Sequence, residues 1–143
     1  MRAAAGTGRH VRGALDVEIR PTGYESLRLI IVHLALGRRA RARQLHFLAT
    51  LIKARTDTLV LGDLNCDPSE LTAHPGVREA GLRAVHGQHT FPSWRSSRSL
   101  DHILATPTVE VISATVLDER LSDHLPVATG IRLRLETAHQ RGA

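Results

Sequence analysis

Several residue types are scarce in this sequence, and each shortage excludes something. One cysteine, Cys66, among 143 residues excludes a disulfide framework within the chain and fits a reducing, cytoplasmic location. Aromatic residues make up only 3%, so the core must be built from Leu, Val, Ile and Ala. No apolar run approaches the roughly 18 residues that a membrane span needs, and residues 1–13 lack the apolar segment of a signal peptide.

Lysine is nearly absent as well, because Lys53 is the only one and arginine supplies the other cations. The net charge of +5 would suit a polyanionic partner such as nucleic acid. Arginine throughout, with abundant Ala and Leu, is also typical of coding bias. The densest arginine run, residues 38–43, is explained equally well by a solvated helix start, so charge alone decides nothing.

What the sequence does contain is an alternation of strand and helix patterns. Apolar and polar residues alternate over 15–20, as in a half-buried strand, and the nearly continuous apolar run 27–34 predicts a central strand buried on both faces. Apolar residues at helical spacing predict a helix within 38–55.

The remaining elements complete a mixed α/β chain. They are a buried strand at 58–61, one or two short helices at 68–81 broken at Pro75-Gly76, a loop with Phe91, Pro92 and Trp94, and strands at 99–105, 109–117 and 127–135. We expect one domain over 1–143, with residues 1–12 a flexible lead-in and 136–143 a polar tail.

Polar, titratable residues stand where two of the buried strands end. His33 closes the apolar run 27–34 and is either a contact to substrate or a hydrogen-bonded structural group. Asp63 and Asn65 follow a strand and a glycine at positions i and i+2, so both point to one side if the strand continues. A carboxylate can hold a divalent cation or orient a water; the alternative is an Asx turn.

Two later segments carry acid–histidine pairs. Asp101 lies between apolar neighbours of a strand, and a buried carboxylate needs a partner. His102 faces the other way and is expected at the surface or in a second layer behind the site. Asp123 and His124 precede the last strand, where a histidine can serve as general acid or base because its pKa lies near neutrality. An ordinary loop entering a strand is the alternative.

Read together, five segments resemble the closing motifs of the endonuclease/exonuclease/phosphatase superfamily, which has the fold of pancreatic deoxyribonuclease, apurinic endonucleases, neutral sphingomyelinases and inositol polyphosphate phosphatases. The order and approximate separations match over about residues 13 to 135. The segments are Val-His-Leu at 32–34 with Arg43-Gln44 after it, Gly-Asp-Leu-Asn at 62–65, Thr-Phe-Pro-Ser-Trp-Arg at 90–95, Ser-Leu-Asp-His-Ile-Leu at 99–104 and Ser-Asp-His-Leu-Pro-Val at 122–127.

The resemblance implies part of a four-layer αββα sandwich with mixed β-sheets and an active site at one end. In such a site Asp63 would orient the attacking water or help to hold a metal. Asn65 would donate to the phosphate. His124 would act as general acid/base or charge stabiliser, oriented by Asp101.

The same resemblance implies a cation and a phosphate contact. Asp123, with Asp63, would approach the metal, and His33 would contact a phosphate oxygen. Mg²⁺ is the expected ion, with Mn²⁺ as an alternative, because the ligands are oxygen-bearing.

The sequence departs from the family pattern at its start. It is much shorter than typical members, and Glu18, Glu25 and Glu70 are the only early glutamates. None stands in the context of the family's principal metal-binding Glu, so we expect the N-terminal half of the fold to be missing. A half-sandwich exposes an apolar sheet face, which favours self-association or pairing with the missing half.

Three functions stay open at this point. The first is metal-dependent hydrolysis of phosphate esters, by a phosphodiesterase, nuclease or phosphatase whose activity is weakened by truncation or depends on the missing sequence. The second is an inactive remnant that binds phosphate or a partner. The third is a basic nucleic-acid-binding protein. A calcineurin-type metallophosphatase would need an early Asp-x-His and a late Gly-Asn-His motif, and neither is present. Phe91 and Trp94 could line the cleft or pin their loop to the core.

Overall fold

A computed structural model describes residues 12–52 and 56–136. Nearly all of the expected lead-in and tail, and Lys53, therefore lie outside the described residues. The described part has seven strands and three helices: β1 (Ala14–Ile19), β2 (Leu27–His33), α1 (Arg38–Leu51), β3 (Asp57–Asp63), α2 (Pro68–Ala73), α3 (Pro75–Glu79), β4 (Arg83–Ala84), β5 (Asp101–Ala105), β6 (Glu110–Val116) and β7 (Val127–Arg132).

Five strands form one mixed sheet in the order β1-β2-β3-β5-β4. β2 and β3 run parallel, and the other neighbours run antiparallel. A parallel pair needs a crossover connection, and α1 supplies it between β2 and β3. The predicted helix and strands are confirmed to within a few residues. The two-residue strand β4 was not predicted, because two residues carry no alternation.

One face of this sheet packs against the helices. Ile30 and Val60 are fully buried there, and α1 turns Leu45 and Leu48 onto them. Arg41, Leu45 and Leu48 recur at helical spacing, which is why one stripe of α1 faces the sheet. No helix among the described residues is long and apolar enough to cross a membrane.

The residues that the structure describes cover the opposite face only in part. β6 and β7 form a separate two-stranded sheet whose apolar side packs on Leu27, Leu59 and Ile103. Leu15 and Ile31, which pair across β1 and β2, remain 54% and 39% exposed. The prediction that 27–34 is buried on both faces is therefore wrong at Ile31, because the two-stranded β6–β7 sheet is too narrow to reach it.

The segment after β7 returns to the first hairpin. Leu135 forms a bridge with Tyr24, and the N–H of Glu25 donates to the carbonyl of Arg134 at 2.9 Å. The Arg134 guanidinium contacts the carboxylates of Asp57, at 2.8 Å, and Glu25, at 3.0 Å. Asp57 is only 7% exposed, so this arginine neutralises a buried charge at the start of β3.

Candidate active site

Strand register aligns three predicted site residues in one row. His33 of β2 pairs with Asp63 of β3, and Asp63 pairs with Asp101 of β5. Cross-strand partners point to the same face, so the three side chains stand side by side. Because side chains alternate along a strand, the row shares its face with Leu61 and Ile103, which contact the β6–β7 sheet. The row therefore lies at the end of the sheet-on-sheet interface.

A glycine before the row allows the strands to approach. Gly62 has φ +135°, and a Cβ there would lie 1.9 Å from the carbonyl oxygen of Val32. No other residue type fits this position without moving the backbone of β2. The glycine of the Gly-Asp-Leu-Asn motif is thus explained by close backbone contact beside Asp63.

The turn after β3 is an Asx turn. The backbone N–H of Asn65 donates to Asp63 Oδ1 at 2.9 Å, and Asn65 has φ +53°. Its side-chain amide donates to the carbonyl of Leu34 at 3.0 Å, and the residue is 8% exposed. The structural alternative for Asp63 is therefore realised, yet its other oxygen, Oδ2, faces His33 Nε2 at 3.3 Å. The phosphate-donating role of Asn65 stays a prediction.

His124 is held by Asp101. Its Nδ1 lies 2.7 Å from Asp101 Oδ2. An ionised carboxylate only accepts hydrogen bonds, so Nδ1 carries the proton and Nε2 is left for another partner. Burial lowers the pKa of His124, but the hydrogen bond and charge of Asp101, with the charges of Asp63 and Asp123, raise it, and the net shift is upward. The predicted pairing of these two residues is present.

Asp63, Asp101 and His124 form a tight group. One potential ligand atom from each lies within 4.8 Å of the others, and among the described residues this is the group that could hold a metal ion. Two carboxylates suit Mg²⁺, which usually takes one or two carboxylates and keeps several waters. Asp123 is exposed and is not a member of the group.

A cleft of about 310 Å³ lies beside Asp101 and His124. Asp101, Leu61 and Ile103 line it from the sheet, and His124 and Val127 from the segment that enters β7. The volume lies at the lower end of the range for small-molecule sites.

The loop 90–98 packs beside His124, and it contains Thr90, to which sequence reasoning gave no role of its own. The Phe91 ring lies 4.8 Å from the His124 ring, whereas Trp94 is 66% exposed and does not pin the loop. Thr90, fully buried, accepts hydrogen bonds from the backbone of Leu100 and Asp101. Thr90 opens the 90–95 motif in the sequence, but only the fold shows what its hydroxyl contacts.

His102 lies behind the row, on the helix face of β5. It is 1% exposed, and its Nε2 lies 2.8 Å from the carbonyl of Cys66 and 3.0 Å from that of Ser99. The second-layer position is the one observed, and the surface alternative is wrong. Burial raises the pKa of the Cys66 thiol to about 12, so this thiol is not a ready nucleophile.

The arginine run at the start of α1 does not form one surface. Arg41 is 6% exposed and makes a two-pronged ion pair with Glu70, at 2.8 and 2.7 Å. It also donates to the carbonyls of Ala35 and Leu36. Arg38 and Arg39 are exposed. The run thus mixes a structural arginine with solvated ones, and Glu70 is occupied by Arg41.

Comparison with known proteins agrees with this geometry. The model of the Endonuclease/Exonuclease/phosphatase family matches residues 11–124, well over half of the chain. The chain belongs to this family. No protein of curated function matches its sequence.

Solved structures of the Endonuclease/Exonuclease/phosphatase family share the fold. An endonuclease/exonuclease/phosphatase from Beutenbergia cavernae DSM 12333 superposes with a TM-score of 0.71 at 24% identity, over 89% of this chain and 41% of its own. TDP2 of D. rerio, solved with a single-strand DNA product, superposes with a TM-score of 0.73 at 21% identity, over 88% of this chain and 64% of its own. A mannosyl-6-phosphatase from Bacteroides thetaiotaomicron VPI-5482 superposes with a TM-score of 0.65 at 18% identity, over 76% of this chain and 52% of its own.

The family and the fold expected from the motifs are thereby confirmed. The described residues are part of an α/β sandwich in which a mixed sheet lies between helices and a second sheet. The chain spans only 41 to 64% of the length of these three structures. At such identities the likeness establishes the fold alone.

Proposed function

We propose that this protein hydrolyses phosphate esters with the help of a divalent metal ion, as a phosphodiesterase, nuclease or phosphatase. One observation carries the proposal: Asp63, Asp101 and His124 converge within 4.8 Å, although they come from β3, β5 and a later loop, and Asp101 and His124 line a cleft. Family membership supports the same class of chemistry.

In this proposal the Asp101–His124 pair handles protons and charge. Asp101 fixes the ring at 2.7 Å, so Nε2 of His124 is left to face the phosphoryl group as general acid/base or charge stabiliser. Asp63 orients the attacking water, which enters in line with the leaving oxygen while the site neutralises the equatorial oxygens. The raised pKa of His124 favours the protonated ring that a charge stabiliser requires.

Asp63 and Asp101, which belong to the observed group, are proposed holders of the ion, and Asp123 is a proposed holder on the resemblance alone. Asp123 is exposed, yet its charge contributes to the raised pKa of His124, so it acts on the site electrostatically. A bound Mg²⁺, or Mn²⁺ in its place, would polarise the phosphoryl oxygens and lower the pKa of a bound water.

The proposed phosphate contacts are His33 and Asn65. The His33 side chain is 60% exposed at the open end of the row, so a substrate oxygen can reach it. Asn65 stands two residues beyond Asp63 in the same turn, and one N–H of its amide remains after the bond to Leu34.

The proposed substrate class is no narrower than a phosphate ester. One structural neighbour was solved with a single-strand DNA product and another is a mannosyl-6-phosphatase, so both nucleic acid and sugar phosphate are candidates. The net charge of +5 suits either. A cytoplasmic location stays a prediction from the single cysteine.

The uncovered part of the sheet leads to a conditional proposal. Leu15, Ile19 and Ile31 form an apolar strip on the face that carries the active row, and they are 39 to 54% exposed. We propose that full activity requires this strip to be covered, by a second copy or by further sequence of the same fold. Sedimentation of the purified chain tests the first option: a monomer at micromolar concentration would rule it out.

The decisive experiment is hydrolysis of an activated phosphodiester by the purified chain, with and without Mg²⁺. His124→Ala and Asp63→Ala should each lower kcat on the order of 10² to 10⁴-fold. The matched control is His46→Ala, because His46 is exposed on α1, away from the cleft, and should leave kcat unchanged.

Either negative result would be informative. Parent-like rates in both site variants would contradict the proposed roles. A folded chain without any Mg²⁺-dependent turnover would favour the alternative function, an inactive remnant that binds phosphate or a partner.

A further inference from the structure

The two members of the Asp101–His124 pair belong to different parts of the fold. Asp101 is the first residue of β5, whereas His124 lies in the loop that leads into β7. Within the described part of the chain, the backbone N–H of His124 donates to the nearby Ser122 hydroxyl at 3.0 Å. The 2.7 Å contact therefore depends on whatever ties that loop to the start of β5.

Thr90 bonds to both sides. Its hydroxyl oxygen accepts from the N–H of Leu100 and of Asp101, each at 3.2 Å. Its backbone carbonyl accepts from the N–H of Leu125 at 2.8 Å. One buried residue thus contacts the chain at Asp101 itself and at the neighbour of His124.

Ser93 strengthens the connection to the loop of His124. Its N–H donates to the carbonyl of Asp123 at 2.8 Å, and its hydroxyl donates to the carbonyl of Ser122 at 2.6 Å. Ser93 is 6% exposed, and the Phe91 ring packs against the His124 ring between the two contacts. Residues 90–93 therefore clamp the loop along three successive peptide units.

We propose that Thr90 is a positioning residue that sets the distance between Asp101 and His124. Its side chain holds the acid, its main chain holds the loop of the histidine, and it touches no reacting atom. Its catalytic part rests on the proposed phosphoesterase function, whereas its effect on the hydrogen bond does not.

Paired substitutions isolate the hydroxyl. Thr90→Val keeps the shape but removes the acceptor of two N–H groups, whereas Thr90→Ser keeps the acceptor. Thr106→Val is the matched control: Thr106 is also buried, its hydroxyl accepts the N–H of Thr58 at 3.0 Å, and it lies beyond the other end of β5. Thr90→Val and Thr106→Val each remove one buried hydroxyl, whereas Thr90→Ser keeps it.

The first measurement is steady-state hydrolysis of the phosphodiester with Mg²⁺. We expect Thr90→Val to lower kcat on the order of 10²-fold with KM within about twofold, because misplacing a catalytic group by about 1 Å costs this much. Thr90→Ser and Thr106→Val should keep kcat near the parent value. Equal losses in Thr90→Val and Thr106→Val, or no loss in either, would overturn the proposal.

The second measurement needs no activity, so it stands even if the chain proves inactive. Proton NMR at low temperature should show a downfield Nδ1–H signal of His124 that disappears in His124→Asn. We expect it in the parent, Thr90→Ser and Thr106→Val, and its loss or marked shift in Thr90→Val. If Thr90→Val does not fold, Thr90→Cys, with a weaker acceptor, should give an intermediate signal. An unchanged signal in the variant, or none in the parent, would overturn the proposal.

Discussion

The two faces of the five-stranded sheet are buried to different extents. On the helix face, Ile30, Val60 and Leu104 are at most 1% exposed. On the other face, Ile103 lies under the β6–β7 sheet, whereas Leu15 is 54% exposed. Burial of apolar area supplies most of the folding free energy, so the helix face holds the fold together. The other face carries a charged rim, formed by His33, Asp63, Asp101 and His124, and the described residues cover it only in part.

Histidines on the two faces show the same contrast. Behind the row, His102 stacks on His86 with ring centroids 6.0 Å apart, and burial, then the neighbouring His102, lowers the pKa of His86. Beside the row, burial lowers the pKa of His124, but the hydrogen bond and charge of Asp101, with the charges of Asp63 and Asp123, raise it, and the net shift is upward. Burial on one face therefore disfavours the charged form of His86, whereas the carboxylates on the other face favour a charged ring at His124.

The largest effect on the fold should come from the close backbone contact between β2 and β3 at Gly62. Gly62→Ala places a Cβ 1.9 Å from the Val32 carbonyl oxygen at φ +135°, so the free energy of unfolding should fall by about 4 kcal/mol or more. Gly87→Ala is the control, because its Cβ would meet nothing within 4 Å. Thermal unfolding measures both, and equal melting temperatures would show that β2 and β3 can separate at this point without cost.

A pair of leucine truncations compares the faces directly. Leu104→Ala should cost about 2 to 5 kcal/mol, as expected for a fully buried leucine. Leu15→Ala should cost less than about 1 kcal/mol, because the side chain is already half in water. Urea unfolding gives both values. A loss at Leu15 as large as that at Leu104 would mean that the open strip is covered in solution.

A smaller effect is expected from a substitution in the charged rim, and it concerns the pKa of His124. Asp101→Asn should lower the pKa of His124, because the carboxylate that favours the protonated ring is gone. The folded-state pKa lies above the unfolded value, so the pair's contribution to stability is full below about pH 6.5 and is lost as pH rises through the raised pKa. NMR titration of the metal-free chain measures the shift, with the exposed Asp118→Asn as control. An unchanged or higher pKa would contradict the assignment.

The secondary-structure elements and the site residues could be predicted from the sequence better than the contacts between them. Alternation at 15–20 and helical spacing at 38–55 predicted β1 and α1, because these periods reflect which face is buried. The motifs predicted Asp63, Asp101 and His124, but their closeness depends on strand register and on the path of a loop.

Other features had no sequence signal of their own. The exposure of Ile31 follows from the width of the β6–β7 sheet, which no local pattern encodes. The contacts of Thr90 join residues 10, 11 and 35 positions away, so propensity says nothing about them. The sequence allowed a second-layer position for His102, but its two backbone carbonyl partners come from different loops and could not be predicted.

The return of Arg134 to the first hairpin bears on how the chain folds during synthesis. Asp57 is nearly buried, and its partner stands 77 residues later. While β1 to β3 leave the ribosome, this carboxylate lacks its cation, so its charge is neutralised only after residue 134 has been made. We expect a contact between residues so far apart in sequence to be absent from the folding transition state. We therefore expect Arg134→Ala to accelerate unfolding and to leave the folding rate almost unchanged, which stopped-flow kinetics in urea would show. An equal slowing of folding would place this contact early.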